Sequence, residues 1–424
     1  MRWLYTIIFY LSLPLIMLRL CWRARRAPAY AQRWRERFGF IKPVSATKPV
    51  IWLHTVSVGE FLGALPLIRQ LQQSAAVHLV ITTTTPTGSE RVRAMLGDSV
   101  DHVYAPYDTP DMVARFLRRV KPRLLVIMET ELWPNTIAAC NARSIPVVLI
   151  NARLSARSAR GYQRFSAITR PMLQQLSAVA IQHQDDAARF AALGLPTAVS
   201  HITGNIKFDL TLSAELVAQA SRLKKQWSED GQRLVWIVAS THQGEDEQIL
   251  DAFTQLRASG DSAAQTLLLV LVPRHPERFN RIADLCQGRG FSVQRRSSGQ
   301  SPAGVDILLG DTMGELLLLF GASDIAFVGG SLVANGGHNF IEPAAWQLPL
   351  LSGPHVFNFA EVSRLLVEAG ALVHVDSSAA LAQQVQLLLS DKELRTARGQ
   401  AARTVADANR GALAKTVSLI KSYL

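Results

Sequence analysis

The sequence predicts an α/β protein of two doubly wound, Rossmann-like domains carried behind an N-terminal membrane-anchor helix. Short β-branched runs alternate with helical stretches in two successive series, the pattern of parallel sheets covered by helices. With 424 residues, 48% of them hydrophobic, the chain exceeds the roughly 250–300 residues at which a single core stops growing. A charge-free apolar stretch precedes the first series.

That stretch covers residues 3–18, and sixteen residues fall short of the roughly 20 that cross a bilayer outright. It crosses marginally or lies in the interface. No small-residue cleavage site follows it, and Arg19, Arg23, Arg25, Arg26, Arg33, Arg35 and Arg37 do, so it is expected to remain as an anchor, with the arginine-rich side and all that follows in the cytoplasm. A buried helix of the fold is the alternative, in which those arginines would lack partners.

The first series of strands is expected at 50–54, 78–85, 101–106, 124–129, 146–151 and 178–182. The second is expected at 233–240, 266–273, 291–296, 306–310, 324–330, 349–353 and 372–375. The charged helical segment 213–232 reads as the connection. The domains are therefore set at 1–40 for the anchor and its basic flank, 41–212, a linker at 213–232, and 233–424.

The formal charge of +12 points to an anionic partner. Nucleic acid is disfavoured, because the basic residues concentrate beside the apolar stretch and no basic strand is interleaved with aromatics. Cys21, Cys140 and Cys286 stand far apart in no CxxC spacing, against a disulfide framework or zinc knuckle.

Ligands of open parallel sheets bind beyond the carboxyl ends of the strands, so the loops there carry the chemistry. "HTVSVGE" (54–60) ends a strand and opens a helix. Gly59 admits a ligand to the backbone, and Ser57 with the helix amides offers donors. Glu60, expected to be held ionised by the helix dipole, is either a base for a substrate hydroxyl or simply a helix cap. "METELWPN" (128–135) places Glu129 and Glu131 at another strand end, on one face if the strand continues through them. No metal motif accompanies them, and no metal site is expected. "STHQGEDE" (240–247) and "PRHPER" (273–278) also end strands, and their histidines read as ordinary loop or core residues.

In the second series, "GDTMGE" (310–315) turns into a helix so that amides at Met313, Gly314 and Glu315 can cradle a phosphate. "GGSLVANGGHNFIEPAAW" (329–346) repeats the device, with Asn339 and Glu342 suited to ribose hydroxyls. Any single glycine of these loops serves packing equally well. Arg153, Arg157, Arg160 and Arg164 fall at spacings of four, three and four and share one face if helical. That face is either merely solvated or a patch for anionic lipid head groups.

"HTVSVGE", "METELWPN", "NARLSARSARGY", "GNIKFD", "PRHPER", "GDTMGEL", "FVGGS" and "GGHNFIEPA" together resemble, in order, the 3-deoxy-D-manno-octulosonic acid (Kdo) transferases of lipopolysaccharide synthesis. The resemblance implies the two-domain GT-B glycosyltransferase fold at the cytoplasmic face of the inner membrane. It implies inverting transfer of Kdo from CMP-Kdo to the lipid A precursor, with no metal and no cofactor. By that similarity Glu60 is the general base, and Glu129 or Glu131 lies near the developing positive charge. Lys207 balances the donor's carboxylate or the leaving phosphate. Pro273, Arg274, Met313, Gly314, Glu315, Asn339 and Glu342 bind CMP. Anionic membrane lipids are the further partner. A UDP-sugar enzyme of the same fold, or a non-catalytic membrane-tethered nucleotide-binding protein, would share the glycine loops.

Overall fold

In a computed structural model, which describes residues 1–25, 27–74 and 76–424, the chain divides into two compact units. Arg26, one of the arginines after the apolar stretch, lies outside the described residues.

The first unit comprises Met1–Asp209 and Arg410–Leu424. Its strands are β1 (Val50–His54), β2 (His78–Thr83), β3 (Asp101–Tyr104), β4 (Leu124–Met128), β5 (Val147–Ala152), β6 (Ala178–Ile181) and β7 (Ser200–Ile202). They form one parallel sheet in the order β3-β2-β1-β4-β5-β6-β7. Strand side chains alternate between faces. Ile51 and Leu53 therefore join one buried cluster while Val50 and Trp52 join the other. β7 is absent from the sequence expectation because "SHI" is a three-residue edge strand with two exposed side chains, which leaves no apolar run to detect.

The second unit, Leu210–Asn409, contains β8 (Val235–Thr241), β9 (Leu268–Pro273), β10 (Val293–Arg295), β11 (Ile307–Leu309), β12 (Ile325–Val328), β13 (Leu350–Ser352) and β14 (Leu372–His374). They too form a parallel sheet, in the order β10-β11-β9-β8-β12-β13-β14. Strand order reverses between β1 and β4 in the first sheet and between β8 and β12 in the second. These are the switch points at which doubly wound sheets open a crevice.

Both expected domain boundaries shift. Residues 213–232 are no linker: Ala214–Trp227 is a helix of the second unit, capped by Ser213 and buried at Ala220 and Trp227. The C-terminal helix Ala412–Lys421 leaves the second unit and packs Ala412, Val417 and Ile420 into the first. Asp209 fixes this return by accepting from the amides of Gly411 and Leu413, both at 2.7 Å.

The N-terminal helix Arg2–Ala24 has no buried residue and is long and apolar enough to cross a membrane. One side lies against the first unit: Thr6 donates to Asn135 (3.2 Å), Tyr10 to Asp111 (2.5 Å), and Phe9 meets Tyr107 at 6.3 Å between ring centroids. Trp3, Ile7, Leu11, Leu15, Leu18 and Trp22 are exposed.

The basic flank behaves differently from expectation. Arg33 pairs with Glu36 (2.7 Å) and donates to Ser89 and the His102 carbonyl. Arg37 is 5% exposed, donates to the Thr84 carbonyl (2.9 Å), and stacks on Tyr104. Ile41 is buried in the core. The first unit therefore begins well before residue 41, and these arginines are structural. Arg37→Ala should cost about 1–3 kcal/mol, the usual penalty for orphaning a buried polar partner. Urea unfolding measures it, and removal of residues 2–25 should cost less.

Candidate active site

In the first unit the crevice between β1 and β4 is furnished by the loops that follow them. After β1 the chain caps its next helix, Val58–Ser74, with its own side chains. The Glu60 amide donates to Ser57 Oγ (3.3 Å), and the Glu60 carboxylate accepts from the Val56 amide and from Ser57 Oγ, both at 2.8 Å. This is close to a capping box, so Glu60 does perform the cap role. The cap does not keep it ionised. Burial outweighs those hydrogen bonds, and the nearby charges of Glu131 and Glu129 add to it, so the carboxyl is pushed from its ordinary 4.5 to about 7. His54, by contrast, is a satisfied core residue: it contacts Thr82 Oγ1 at 2.8 Å, and burial holds its pKa down at about 4.

Strand geometry does not persist through "METEL". β4 ends at Met128, and Glu129 adopts a left-handed conformation with φ +57°. This strain sits where loops do chemistry. The shared-face expectation therefore fails, and the two carboxylates have different surroundings. Glu129 pairs with Lys207 Nζ (3.0 Å) and lies 3.7 Å from Arg153 Nε. Glu131 accepts from Trp133 Nε1 (3.2 Å), and burial, with Glu129 adding to it, raises its pKa. Lys207 is thus engaged by Glu129. Gly63 leaves room for it, since a Cβ there would come within 3.2 Å of Lys207 Cε. Asn205 and Asn151 hold the Lys207 loop by accepting from the amides of Lys207 (3.0 Å) and Ile206 (3.1 Å).

The arginine face is partly as expected. Arg157, Arg160 and Arg164 are exposed on the helix Ala156–Arg164. Arg153 precedes that helix and belongs with Glu129.

In the second unit the loops after β8 and β12 meet through a residue that sequence reading passes over. Glu245 is fully buried, and its carboxylate accepts from the amides of His242 (2.8 Å), Gly330 (2.6 Å), Ser331 (2.9 Å) and Leu332 (2.9 Å). The amides of the "GGSL" loop are therefore occupied by the protein, and the expected phosphate cradle there is not free. What the clamp presents instead is a histidine cluster. His242 Nε2 lies 2.8 Å from His338 Nε2 with the rings stacked, and His275 meets His242 edge-on. Gly330, at φ +69°, makes this possible, because a Cβ there would come within 3.0 Å of the His338 ring. Burial, and after it the positive charge of Arg274, holds His338 at about 3. His242 is also lowered, chiefly by burial. His242 and His338 are thereby disfavoured from taking a second proton, so this pair of rings offers hydrogen bonds without charge. Local sequence could not signal the cluster, since its members come from three loops.

Around it lie the other expected residues. Pro273 ends β9 and Arg274 is exposed beyond it. Arg278 of the same motif is instead spent on buried Asp246. Asn339, next to His338, donates to Glu342 (2.9 Å) and accepts from the Ile341 amide (3.0 Å). Met313 is exposed, Gly314 takes φ +88°, and Glu315 bonds Thr312 and Arg296. Among the described residues no three His, Cys, Asp or Glu side chains are grouped to hold a metal ion.

The family model for 3-deoxy-D-manno-octulosonic-acid transferase matches residues 32–210, and that for group 1 glycosyl transferases matches 247–405. A 3-deoxy-D-manno-octulosonic acid transferase from Haemophilus influenzae is 47% identical over 427 aligned positions, covering 100% of this chain and 99% of its own. The chain belongs to the Kdo transferase family. Its counterpart from Bordetella pertussis is 36% identical, again over 100% of this chain and 99% of its own. A glycosyltransferase structure from Rickettsia africae superposes with a TM-score of 0.60 at 13% identity, over 89% of this chain and 99% of that one. This Kdo transferase therefore has the GT-B fold, and it is a glycosyltransferase of lipopolysaccharide synthesis.

The raised pKa of Glu60 makes a stability prediction for the enzyme. The folded state holds this proton more tightly than the unfolded chain does, so the group's contribution is fully present below pH 4.5 and is lost as pH rises through about 7. Replacing it with Gln removes that loss. The thermal midpoint of Glu60→Gln relative to the parent should rise between pH 5 and pH 8, as scanning calorimetry would show.

Proposed function

We propose that this enzyme transfers Kdo from CMP-Kdo to a sugar hydroxyl of the lipid A precursor, lipid IVA, with inversion and without a metal or cofactor. The observation that carries the reading is Glu60: a half-buried carboxylate at the switch point of the first sheet, with its pKa moved to about 7, where a general base works best near neutrality. Its Oε atoms take the proton of the acceptor hydroxyl as that oxygen bonds the anomeric carbon of Kdo. The bond from that carbon to the phosphate oxygen breaks, and CMP leaves. A single displacement from the opposite face inverts the centre.

Glu129 or Glu131 lies near the positive charge that develops on the sugar ring. Lys207 and Arg153, held by Glu129, keep that cluster from carrying three uncompensated carboxylates. Ser57 and Gly59 shape the acceptor side. In the second unit, Pro273, Arg274, Met313, Gly314, Glu315, Asn339 and Glu342 form the CMP-Kdo site. Arg274 and the imidazoles of His242 and His338 stabilise the departing phosphate through hydrogen bonds. The exposed apolar side of the N-terminal helix, with Arg157, Arg160 and Arg164, holds the enzyme on anionic lipid at the cytoplasmic face of the inner membrane.

Glu60→Gln keeps the shape but accepts no proton, so turnover should fall roughly 100-fold or more, with binding of CMP-Kdo retained. A rate close to the parent's would remove Glu60 as the base. In the parent, kcat/KM should climb as pH passes through about 7. Replacing Arg157 and Arg160 together with Ala should raise KM for the phosphorylated lipid acceptor, and less so at high salt, because screening already weakens exposed charges. An equal loss of CMP affinity would place those arginines with the donor instead.

A further inference from the structure

We propose that a groove in the first unit holds one fatty acyl chain of the acceptor, so that the enzyme selects acylated over deacylated sugar phosphates. The proposal rests on the lipid-acceptor reading above and adds the recognition of the chain itself. The groove has a volume of about 400 Å³, within the roughly 300–1,000 Å³ of small-molecule sites. Its walls are mainly apolar, including Trp3, Pro134, Ile168, Pro171 and Met172, and Arg2 is the one charged side chain among the described residues lining it. Apolar walls with a cation match an acyl chain attached to an anionic head.

Two walls decide the occupant. One is the start of the N-terminal helix, whose other side chains, Ile7, Leu11 and Leu15, are exposed and apolar, so a lipid tail reaches the groove along a surface that already suits it. The other is Pro134, the first residue of the helix Pro134–Asn141. It stands three residues beyond Glu131, at most about 11 Å of chain. The groove's Pro134 wall therefore lies within reach of the carboxylates of the candidate active site, close enough for one acceptor to touch both. These walls are fixed: Asp108 accepts from the amides of Asn135 (3.0 Å) and Thr136 (2.7 Å), capping the Pro134 helix, and Asn135 also bonds Thr6 of the N-terminal helix (3.2 Å). Neither a bilayer phospholipid nor a second copy of the chain would need that adjacency.

The test uses the full-length enzyme in neutral detergent with two acceptors that share one phosphorylated disaccharide, one tetra-acylated and one stripped of its chains. Each methylene buried in such a groove is worth about fourfold in binding, so the parent should favour the acylated acceptor in kcat/KM by at least about 10-fold. Ala167 lines the groove and is exposed, so Ala167→Trp fills it without cutting into the core. Ile168→Asp places a charge in the same space. Both variants should collapse the ratio of kcat/KM between the acceptors, with normal thermal midpoints. A parent ratio near one overturns the proposal, as does a ratio that neither variant changes. An unchanged ratio with weaker binding to anionic phospholipid vesicles would assign the groove to bilayer lipid instead. Failure of the parent to use either acceptor would strike the lipid-acceptor reading, not the groove alone.

Discussion

Parallel strands all release the chain at the same edge of their sheet, and where the winding direction reverses, the loops of two neighbouring strands must diverge. The candidate site in each unit depends on that constraint. It is met between β1 and β4 and again between β8 and β12. In the first sheet the divergence leaves room for Glu60 on one side and Glu129 and Glu131 on the other. In the second it separates the His242 loop from the glycine loop, and Glu245 then ties the two together from beneath. Left-handed backbone at Glu129, Asn151 and Ser240, each at or just past a strand's carboxyl end, is strain carried by the same edges.

Charge is distributed unevenly within that geometry. Three carboxylates gather in the first unit, yet the cations Lys207 and Arg153 both go to Glu129. Glu60 and Glu131 are left to burial, which raises both. One carboxylate clamped by two cations stands beside two whose pKa values burial raises, so the three groups of a single cluster have different environments. The second unit solves a related problem without charge, by crowding imidazoles so that burial and Arg274 keep His338 neutral.

Much of this was legible in the sequence wherever the signal was local. Buried parallel strands read as apolar runs, and all but the short edge strand β7 stood out in that way. The loops holding Glu60, Glu129, Glu131, Arg274 and Asn339 were legible because they end those runs in polar residues. What escaped depends on partners distant in the chain. Nothing near Glu245 announces that it will bind amides from 85 to 87 residues away. Nor does the Lys207 motif reveal Glu129, 78 residues upstream. Arg33 and Arg37 misled because arginines beside an apolar stretch usually face lipid, whereas these found Glu36, Thr84 and Tyr104. Helical periodicity marked 213–232 correctly as a helix but could not say which core it joins.

The return of the C-terminal helix to the first unit makes the second unit an insertion within the first. During synthesis, the sheet that carries the Glu60 loop is complete by Asp209, but the apolar surface later covered by Val417 and Ile420 stays open until those two residues emerge. The intervening segment, about 200 residues long, takes roughly 10–40 s at ordinary ribosomal speeds of about 5–20 residues per second. The half of the enzyme that is made first is therefore the half that is finished last. For that interval a patch of its core is available to chaperones, or to the wrong partner.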